Sequence, residues 1–335
     1  MTELATPPAD AQPLPDEVAM TAADELVGIT VASVSPRKQA YIRFKEHKAA
    51  VGSVFVLTVL VLAVLLTPLT ARYGVNQPVI DIKQAKNQFL PPRSEAWFGT
   101  DDIGRDIYSR LLYGVRVSLL IGLASAIISV VIGVAVGAIA GLKGGLFDDI
   151  MMRVTDIFLA FPILVSLLVM RNVLGAISWM KPIIGELSSV RFLIFLFAIF
   201  GWMGVARVVR AQVLSMRERE FIEASRAIGA KNGHIIIRHM LPNSVGPILV
   251  ALSLSVVGAI ISESTLSLFG YGPNVGAGST SLGLLVGGSA KAARAGYWWL
   301  VVFPFAALLI ITLCISFIGD GLRDATDPKA SGGRA

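Results

Sequence analysis

The chain has 335 residues, of which 54% are hydrophobic and 16% are charged, with a net charge of +6. Soluble domains carry about 25% charged residues, so this composition argues against a soluble protein and indicates a membrane protein. The single cysteine, Cys314, excludes an intrachain disulfide, and the three histidines lack metal-ligand spacing.

The first predicted segment, residues 1–36, is an acidic tail that we expect to be disordered and cytoplasmic. Up to Ser35 it contains six acidic residues and four prolines but no Lys or Arg, a composition typical of disorder. It has neither the basic nor the apolar region of a secretory signal. A basic juxtamembrane segment, residues 37–48, follows it, and its positive charge favours a cytoplasmic N-terminus.

Six apolar runs are predicted to cross the membrane as helices, because about 20 apolar residues span its hydrocarbon core. The third is short and interrupted by Pro162, but a topology with both termini on one side requires it. The fourth is interpreted as continuing past Arg207 and Arg210, whose side chains can reach the interface. The Gly- and Ser-rich stretch 271–296 is a candidate re-entrant segment. The predicted spans cover residues 49–67, 117–142, 154–170, 192–206, 244–268 and 297–318.

Three glycines in the second span, Gly133, Gly137 and Gly141, recur every four residues. They share one helix face, where small residues allow another helix to approach closely, so we interpret them as a packing surface. Two acidic residues, Asp156 and Glu263, lie toward the ends of other spans. Because ionisable groups in a membrane are costly, they are candidates for a translocation path, with helix–helix hydrogen bonding as the alternative.

The distribution of Lys and Arg predicts the orientation of the chain. Of the 29 such residues, 17 fall on the side of the N-terminus and 12 on the other, and only 5 of those 12 lie outside the long first loop. Basic loops remain in the cytoplasm, so both termini and the segment between the fourth and fifth spans are predicted to be cytoplasmic. The same rule explains the net positive charge without nucleic acid.

That intervening segment, Arg217–Asn243, is a charged island between two apolar runs. Its first half is predicted to form a short amphipathic helix, with Gly229 at the position that ends a helix and Asn232 as the N-cap of the next. Pro242 is expected to end the second helix, because it lacks an amide hydrogen. The apolar stripe of the first helix consists of Phe221, Ala224, Ser225 and Ile228.

The polar face of this helix is predicted to pair internally, with Glu223 one turn from Arg219 and from Arg226. The helix, turn and second helix together suit the groove of a partner protein. The chain contains no Gly-x-x-x-x-Gly-Lys-Ser/Thr loop for a nucleotide and no assembled Ser/His/Asp or Cys/His set. A driven transporter of this sequence would therefore need energy-supplying partners.

The motif formed by Glu223-Ala224-Ser225, Gly229 and Leu241-Pro242 resembles the signature of bacterial ABC-importer permeases. In that family the segment is a cytoplasmic coupling helix that docks on an ATPase, which would give Phe221, Arg226 and Ile228 a role in docking. Ser225 replaces a usual Ala, and His239 replaces a usual Ile.

The resemblance extends to the C-type permease of dipeptide and oligopeptide importers and covers about residues 97–328. It includes Phe98-Gly99-Thr100-Asp101, the Glu263-Ser264-Thr265-Leu266-Ser267 run and Gly319-Asp320-Gly321-Leu322-Arg323-Asp324. It implies an all-α, six-span type I ABC importer permease fold. Residues 49–96 would hold the first span and the start of an extracytoplasmic loop, 97–325 the core permease domain and 326–335 a cytoplasmic tail.

The function implied by this resemblance is ATP-driven import of di- or oligopeptides across the bacterial plasma membrane by alternating access. The implied partners are a homologous B-type permease, two ABC ATPases, an extracytoplasmic substrate-binding protein and membrane lipid. The chain would be no enzyme and bind no cofactor, with ATP and Mg on the ATPases. The alternatives are import of nickel, glutathione, a sugar or another small solute by the same architecture, and a stand-alone secondary transporter.

Overall fold

The computed structural model describes residues 36–79, 89–187, 189–273 and 280–326, and the regular elements in these ranges are helical. Two units are distinguished, Met1–Gln39 and Ala40–Ala335. The predicted acidic tail, except for Pro36, and residues 327–335 of the C-terminal tail lie outside the described ranges. The helices are α1 (Pro36–Glu46), α2 (Lys48–Leu65), α3 (Thr67–Thr70), α4 (Ile107–Lys143), α5 (Gly145–Ala160), α6 (Ile163–Ala176), α7 (Lys181–Ile184), α8 (Val190–Arg217), α9 (Glu220–Ala227), α10 (Asn232–Ile235), α11 (Leu241–Asn243), α12 (Val245–Leu268), α13 (Leu282–Arg294) and α14 (Trp299–Thr326).

Among the described residues, five helices are long and apolar enough to cross a membrane, namely α2, α4, α8, α12 and α14. They confirm the first, second, fourth, fifth and sixth predicted spans. As expected, α8 continues past Arg207 and Arg210, and it reaches Arg217. The start of α4 and the end of α14 lie well beyond the predicted limits, because a helix can extend past the hydrocarbon core where its polar residues find partners.

The third predicted span is not one continuous helix. The pair α5 and α6 counts as a sixth span only if both are taken together, and they are bent by 102°. The break lies at Phe161 and Pro162, where Phe161 adopts an extended conformation (φ −88°, ψ 143°). A residue before proline is sterically disfavoured in the helical region, which explains the end of α5. The prediction located the interruption correctly but missed the size of the bend.

The glycine face of α4 packs against α8, as predicted. A Cβ atom added at Gly137 would lie 2.4 Å from the carbonyl oxygen of Ala206, and one at Gly133 would lie 2.7 Å from that of Trp202. At Gly141 it would lie 3.0 Å from the carbonyl oxygen of Arg210. Backbone therefore meets backbone along this interface, and a larger side chain has no space.

The stretch 271–296 contains the helix α13, which packs against α4, α12 and α14. Residues 274–279 of the stretch lie outside the described ranges. Ser281 caps the start of α13, because its side chain accepts a hydrogen bond from the amide of Leu284 at 3.1 Å. The re-entrant position of this segment in a membrane stays a prediction.

The start of α4 is fixed by the Phe98–Asp106 motif. Asp106 caps the helix by accepting a hydrogen bond from the amide of Ser109 at 2.8 Å. The buried carboxylate of Asp101 pairs with Arg105 at 2.7 Å and with Arg110. The backbone carbonyl of Thr100 accepts a hydrogen bond from the indole of Trp299 at 3.1 Å. These contacts tie the loop to the first turn of α4 and to α14.

Candidate functional site

The segment Arg217–Asn243 begins at the last residue of α8, and α9 starts after only two further residues. A turn, α10, a π-helical turn at Ile236–Met240 and α11 complete the segment. Its inward-facing side is held by three side chains with no exposed surface, Ile222, Ile235 and Met240. They belong to one apolar cluster with Val213 of α8 and other residues of α4 and α8. The segment is therefore anchored directly on the end of the α4–α8 pair.

The structure corrects the predicted apolar stripe of α9. Ser225 lies on the buried side, where its hydroxyl donates to the carbonyl of Phe221 at 2.8 Å. Ile222, which the sequence reading missed, is the anchoring residue. The spacing of three between Ile222 and Ser225 places both on one face, but spacing alone does not show that this face is the buried one.

The other predicted stripe residues are exposed, and the ring of Phe221 also lies beside that of His239, with 6.3 Å between the ring centroids. Ile228 is 86% exposed and Phe221 is 41% exposed, and Ala224 is exposed as well. Glu223 and Arg226 are exposed on the same helix. A short helix that buries one face and leaves large apolar side chains uncovered on another presents a surface for a partner.

The predicted internal ion pairs of α9 are not formed. Within the described residues, the acidic side chain of Glu223 makes no salt bridge with Arg219 or Arg226. Both charges are exposed, and water competes effectively with a surface ion pair of this kind. Glu223 and Arg226 thus remain available to a partner.

The turn after α9 confirms the prediction for Gly229. Its φ angle is +86°, which belongs to the left-handed region that favours glycine. The amide of Ala230 donates to the carbonyl of Ser225 at 3.0 Å, and the amide of Gly229 donates to that of Arg226 at 2.9 Å. This is the hydrogen-bond pattern of a Schellman cap, so the helix end has a defined geometry.

The second half of the segment departs from the predictions. Lys231, in an extended conformation, is the N-cap of α10, and Asn232 is already the first helical residue. Pro242 does not end the helical path, which continues through Asn243. Pro242 lies in the first turn of α11, where a residue without an amide hydrogen is tolerated. Leu241 is half-buried and Pro242 is exposed.

Glu263 lies at the meeting point of three helices and is fully buried. Its carboxylate accepts hydrogen bonds from the hydroxyls of Ser118 on α4 at 2.8 Å, Ser267 on α12 at 2.9 Å and Ser281 at 2.7 Å. The hydroxyl oxygen of Ser118 in turn accepts a hydrogen bond from the amide of Leu282 at 3.0 Å. This arrangement joins the start of α13 to α4 and α12, as the hydrogen-bonding alternative predicts.

Asp156 does not lie in the interior of the chain. Its side chain is 64% exposed and pairs with Arg207 of α8. A second pair, which the sequence reading missed, joins Asp148 of α5 to Arg210, with two N–O distances of 2.5 and 2.6 Å. The Asp148 side chain is only 9% exposed. Both ion pairs connect α5 to α8, across about 50 to 60 residues of sequence.

These features define a helical membrane protein that presents a rigid helix–turn–helix surface outside its spans. A family model described as the binding-protein-dependent transport system inner membrane component matches residues 133–332. A second model, the N-terminal TM domain of oligopeptide transport permease C, matches residues 35–92. The chain belongs to the family of binding-protein-dependent transport system inner membrane components.

Curated relatives cover most of the chain. It is 34% identical over 297 residues to the dipeptide transport system permease protein DppC of Bacillus subtilis, covering 89% of this chain and 87% of the relative. It is 38% identical over 288 residues to the oligopeptide transport system permease protein OppC of Escherichia coli, with 86% and 89% covered. These matches confirm the resemblance to C-type permeases.

A solved structure of the MetNI methionine ABC transporter in inward-facing conformations has a similar fold. The TM-score is 0.52 at 21% sequence identity, and the match covers 65% of this chain and 96% of that chain. Together with the family match, this similarity confirms the predicted all-α ABC importer permease fold. The chain is an integral membrane transport component.

Proposed function

We propose that this chain is a permease subunit of an ATP-driven importer that moves di- or oligopeptides across the bacterial plasma membrane by alternating access. The names of its relatives support peptides as the substrate class. The motif resemblance supports a complex with a homologous B-type permease, two ABC ATPases and an extracytoplasmic substrate-binding protein. ATP and Mg would be bound by the ATPases. Membership of the transport family favours this function over a stand-alone secondary transporter.

The observation that carries the proposal is the division of α9 into two faces. Ile222 is buried in the α4–α8 cluster, whereas Phe221, Ala224 and Ile228 are uncovered. An apolar helix face of this kind fills a hydrophobic groove of a partner, and nearby charges set its register. Glu223 and the other exposed charges of α9 would therefore orient the helix in an ATPase groove.

The proposed orientation places both termini and Arg217–Asn243 in the cytoplasm, where ATP is available. The excess of Lys and Arg on this side of the predicted spans supports it. The basic helix α1, at the start of the described chain, would lie on the same side. A protease added to inverted membrane vesicles should therefore cleave the segment, whereas the same protease added to intact cells should not.

The decisive experiment compares Ile228→Asp with Ile42→Asp in the assembled transporter. Both isoleucines are exposed, and both are predicted to be cytoplasmic, but Ile42 lies on α1 outside the proposed docking surface. Loss of one buried isoleucine costs about 1.5–3 kcal/mol of association, which corresponds to roughly 10- to 100-fold in affinity. The readouts are the amount of ATPase that co-purifies with the chain and ATP-dependent peptide uptake by proteoliposomes.

We expect Ile228→Asp to lose the ATPases and uptake while Ile42→Asp retains both. Equal retention of ATPases by the two variants would refute docking through α9. The same proteoliposomes test the substrate, because nickel, glutathione, sugars and peptides can be supplied separately with the matching binding protein. Uptake of one of the other solutes, without uptake of peptide, would replace the peptide assignment and leave the ABC importer assignment intact.

A further inference from the structure

Two clefts lie end to end along α8 and α12. The first has a volume of about 520 Å³ and the second, nearer to the segment Arg217–Asn243, about 850 Å³. Three residues, Val208, Ala251 and Leu254, line both, so the clefts form one continuous groove. We refer to it as the α8–α12 groove.

The groove is long enough to cross a bilayer. On α8 its lining extends from Phe197 to Met216. These 19 residue steps, at a rise of ~1.5 Å each, cover about 28 Å. The hydrocarbon core of a membrane is ~30 Å thick. The second cleft opens beside Phe221 and His239 of the proposed docking segment, which places that end at the predicted cytoplasmic surface.

The walls of the first cleft combine small residues with large apolar side chains such as Leu159 and Phe197, and none of the described residues that line it is charged. The hydroxyls of Ser125 and Ser255 donate to backbone carbonyls of their own helices at 2.6 and 2.7 Å. Gly204 and Gly258 contribute no side chain at all. A largely apolar wall without a charged side chain does not select one side-chain chemistry, so it suits a solute of variable sequence such as a peptide.

The open end of the groove is positively charged. Arg219 and Arg323 line the second cleft, and within the described residues neither forms a salt bridge. None of the described residues that line either cleft is Asp or Glu. The two sequence-predicted path candidates, Asp156 and Glu263, line neither cleft. A carboxylate is the chemical group that this end would attract.

We propose that the α8–α12 groove is the wall along which a peptide crosses this subunit, with Arg219 and Arg323 receiving its C-terminal carboxylate at the cytoplasmic opening. This inference rests on the proposed peptide-import function. It assigns the path to the small residues of α8 and α12 instead of to Asp156 or Glu263. Gly204 and Gly258 set the width of the groove.

The first test narrows the groove with Gly204→Leu and Gly258→Leu. A Cβ atom at either position meets nothing within 4 Å, so the first atom of the added side chain has open space. The matched control is Gly52→Leu on α2, which also meets nothing within 4 Å and lies outside the groove. Gly204→Ala serves as a milder variant that should retain most uptake. Each variant is assembled with its ATPases, partner permease and binding protein in proteoliposomes.

We expect both leucine variants to retain the complete assembly. Their rate of peptide uptake should fall by about tenfold or more, whereas Gly52→Leu should transport at the normal rate. Uptake by the leucine variants at the wild-type rate would overturn the groove as a path and leave the proposed function standing. Loss of the partner permease from the leucine variants would also overturn it, since the groove would then be a subunit interface. Retained peptide uptake by the control shows that the proposed function itself is intact.

The second test compares Arg323→Gln and wild type with one peptide in two forms, a free C-terminal carboxylate and a C-terminal amide. The binding protein is the same in both assays, so its own preference cancels in the ratio of the two uptake rates. We expect the preference for the free carboxylate to fall by about tenfold in the variant, the loss typical of a charge-assisted contact. An unchanged ratio in Arg323→Gln and in Arg219→Gln would overturn the carboxylate assignment.

Discussion

Replacement of Glu263 tests whether this buried carboxylate is a structural junction. Glu263→Ala removes the acceptor of three buried serine hydroxyls, on Ser118, Ser267 and Ser281. A buried donor without a partner costs about 1–3 kcal/mol. Because hydroxyls can rotate toward backbone carbonyls, we take the lower limit for each and expect a loss of about 3 kcal/mol in unfolding free energy.

Glu263→Gln should be much milder. The glutamine oxygen can still accept the hydrogen bonds from Ser267 and Ser281, which both reach the same carboxylate oxygen. The amide group then faces Ser118, whose hydroxyl must donate elsewhere, at a cost of about 1 kcal/mol. The unfolding free energies of Glu263→Ala and Glu263→Gln therefore differ by about 2 kcal/mol if the hydrogen bonds of the Glu263 side chain, and not merely its volume, stabilise the junction.

The measurement is reversible denaturation of the chain in detergent micelles, with Glu186→Ala as the control. Glu186 is exposed, and a substitution at such a site changes stability by about 0.5 kcal/mol or less. Equal stability of Glu263→Ala and Glu186→Ala would refute the structural role. Full stability of Glu263→Gln combined with abolished peptide uptake would instead restore the path role that the sequence suggested.

Three further outcomes are expected. Gly137→Leu should prevent correct packing of α4 on α8, because its Cβ would meet the backbone oxygen of Ala206 at 2.4 Å; size-exclusion chromatography should show aggregation, unlike Gly52→Leu. Arg210→Gln should lower the unfolding free energy by about 1–3 kcal/mol in the same denaturation assay, which is less than a fully buried pair would lose because Arg210 is one-third exposed. Arg207→Gln, at the exposed pair, should lower it by only about 0–1 kcal/mol. Equal losses in the two variants would contradict the stronger role of the Asp148–Arg210 pair. Gly229→Pro should lower peptide uptake without affecting docking of the substrate-binding protein, because it disrupts the turn after α9; uptake at the normal rate would count against coupling through this turn.

Local patterns in the sequence predicted the features that depend on neighbouring residues. Apolar runs of membrane length located the spans, and the spacing of Gly133, Gly137 and Gly141 located the packing face of α4. Gly229 was identifiable as a helix end because few other residues adopt its positive φ angle. Each of these signals lies within a single helix or turn, where periodicity and backbone preference act directly.

Contacts between distant segments could not be read in this way. The serine partners of Glu263 come from three helices, one of them 145 residues away in sequence. Asp148 and Arg210 pair across 62 residues of sequence, and no local pattern shows that α5 lies beside α8. The choice of Ile222 as the anchor of α9 required knowledge of which side of the helix faces α8. Composition and spacing leave such choices open.

The burial pattern of the segment Arg217–Asn243 determines where the chain can bend when a partner pulls on it. Rotation of the whole segment away from α8 would expose Ile222, Ile235 and Met240, which are now fully buried. Exposure of each costs about 1.5–3 kcal/mol, so the three together resist such rotation by several kcal/mol.

The same resistance continues along α8, which is joined to α4 by backbone contacts at Gly133 and Gly137. A force on α9 is therefore transmitted to the α4–α8 pair. We expect bending at an interruption between helices that has few backbone contacts of the kind that join α4 to α8. The junction at Phe161 and Pro162, where the helix is already interrupted, meets this condition.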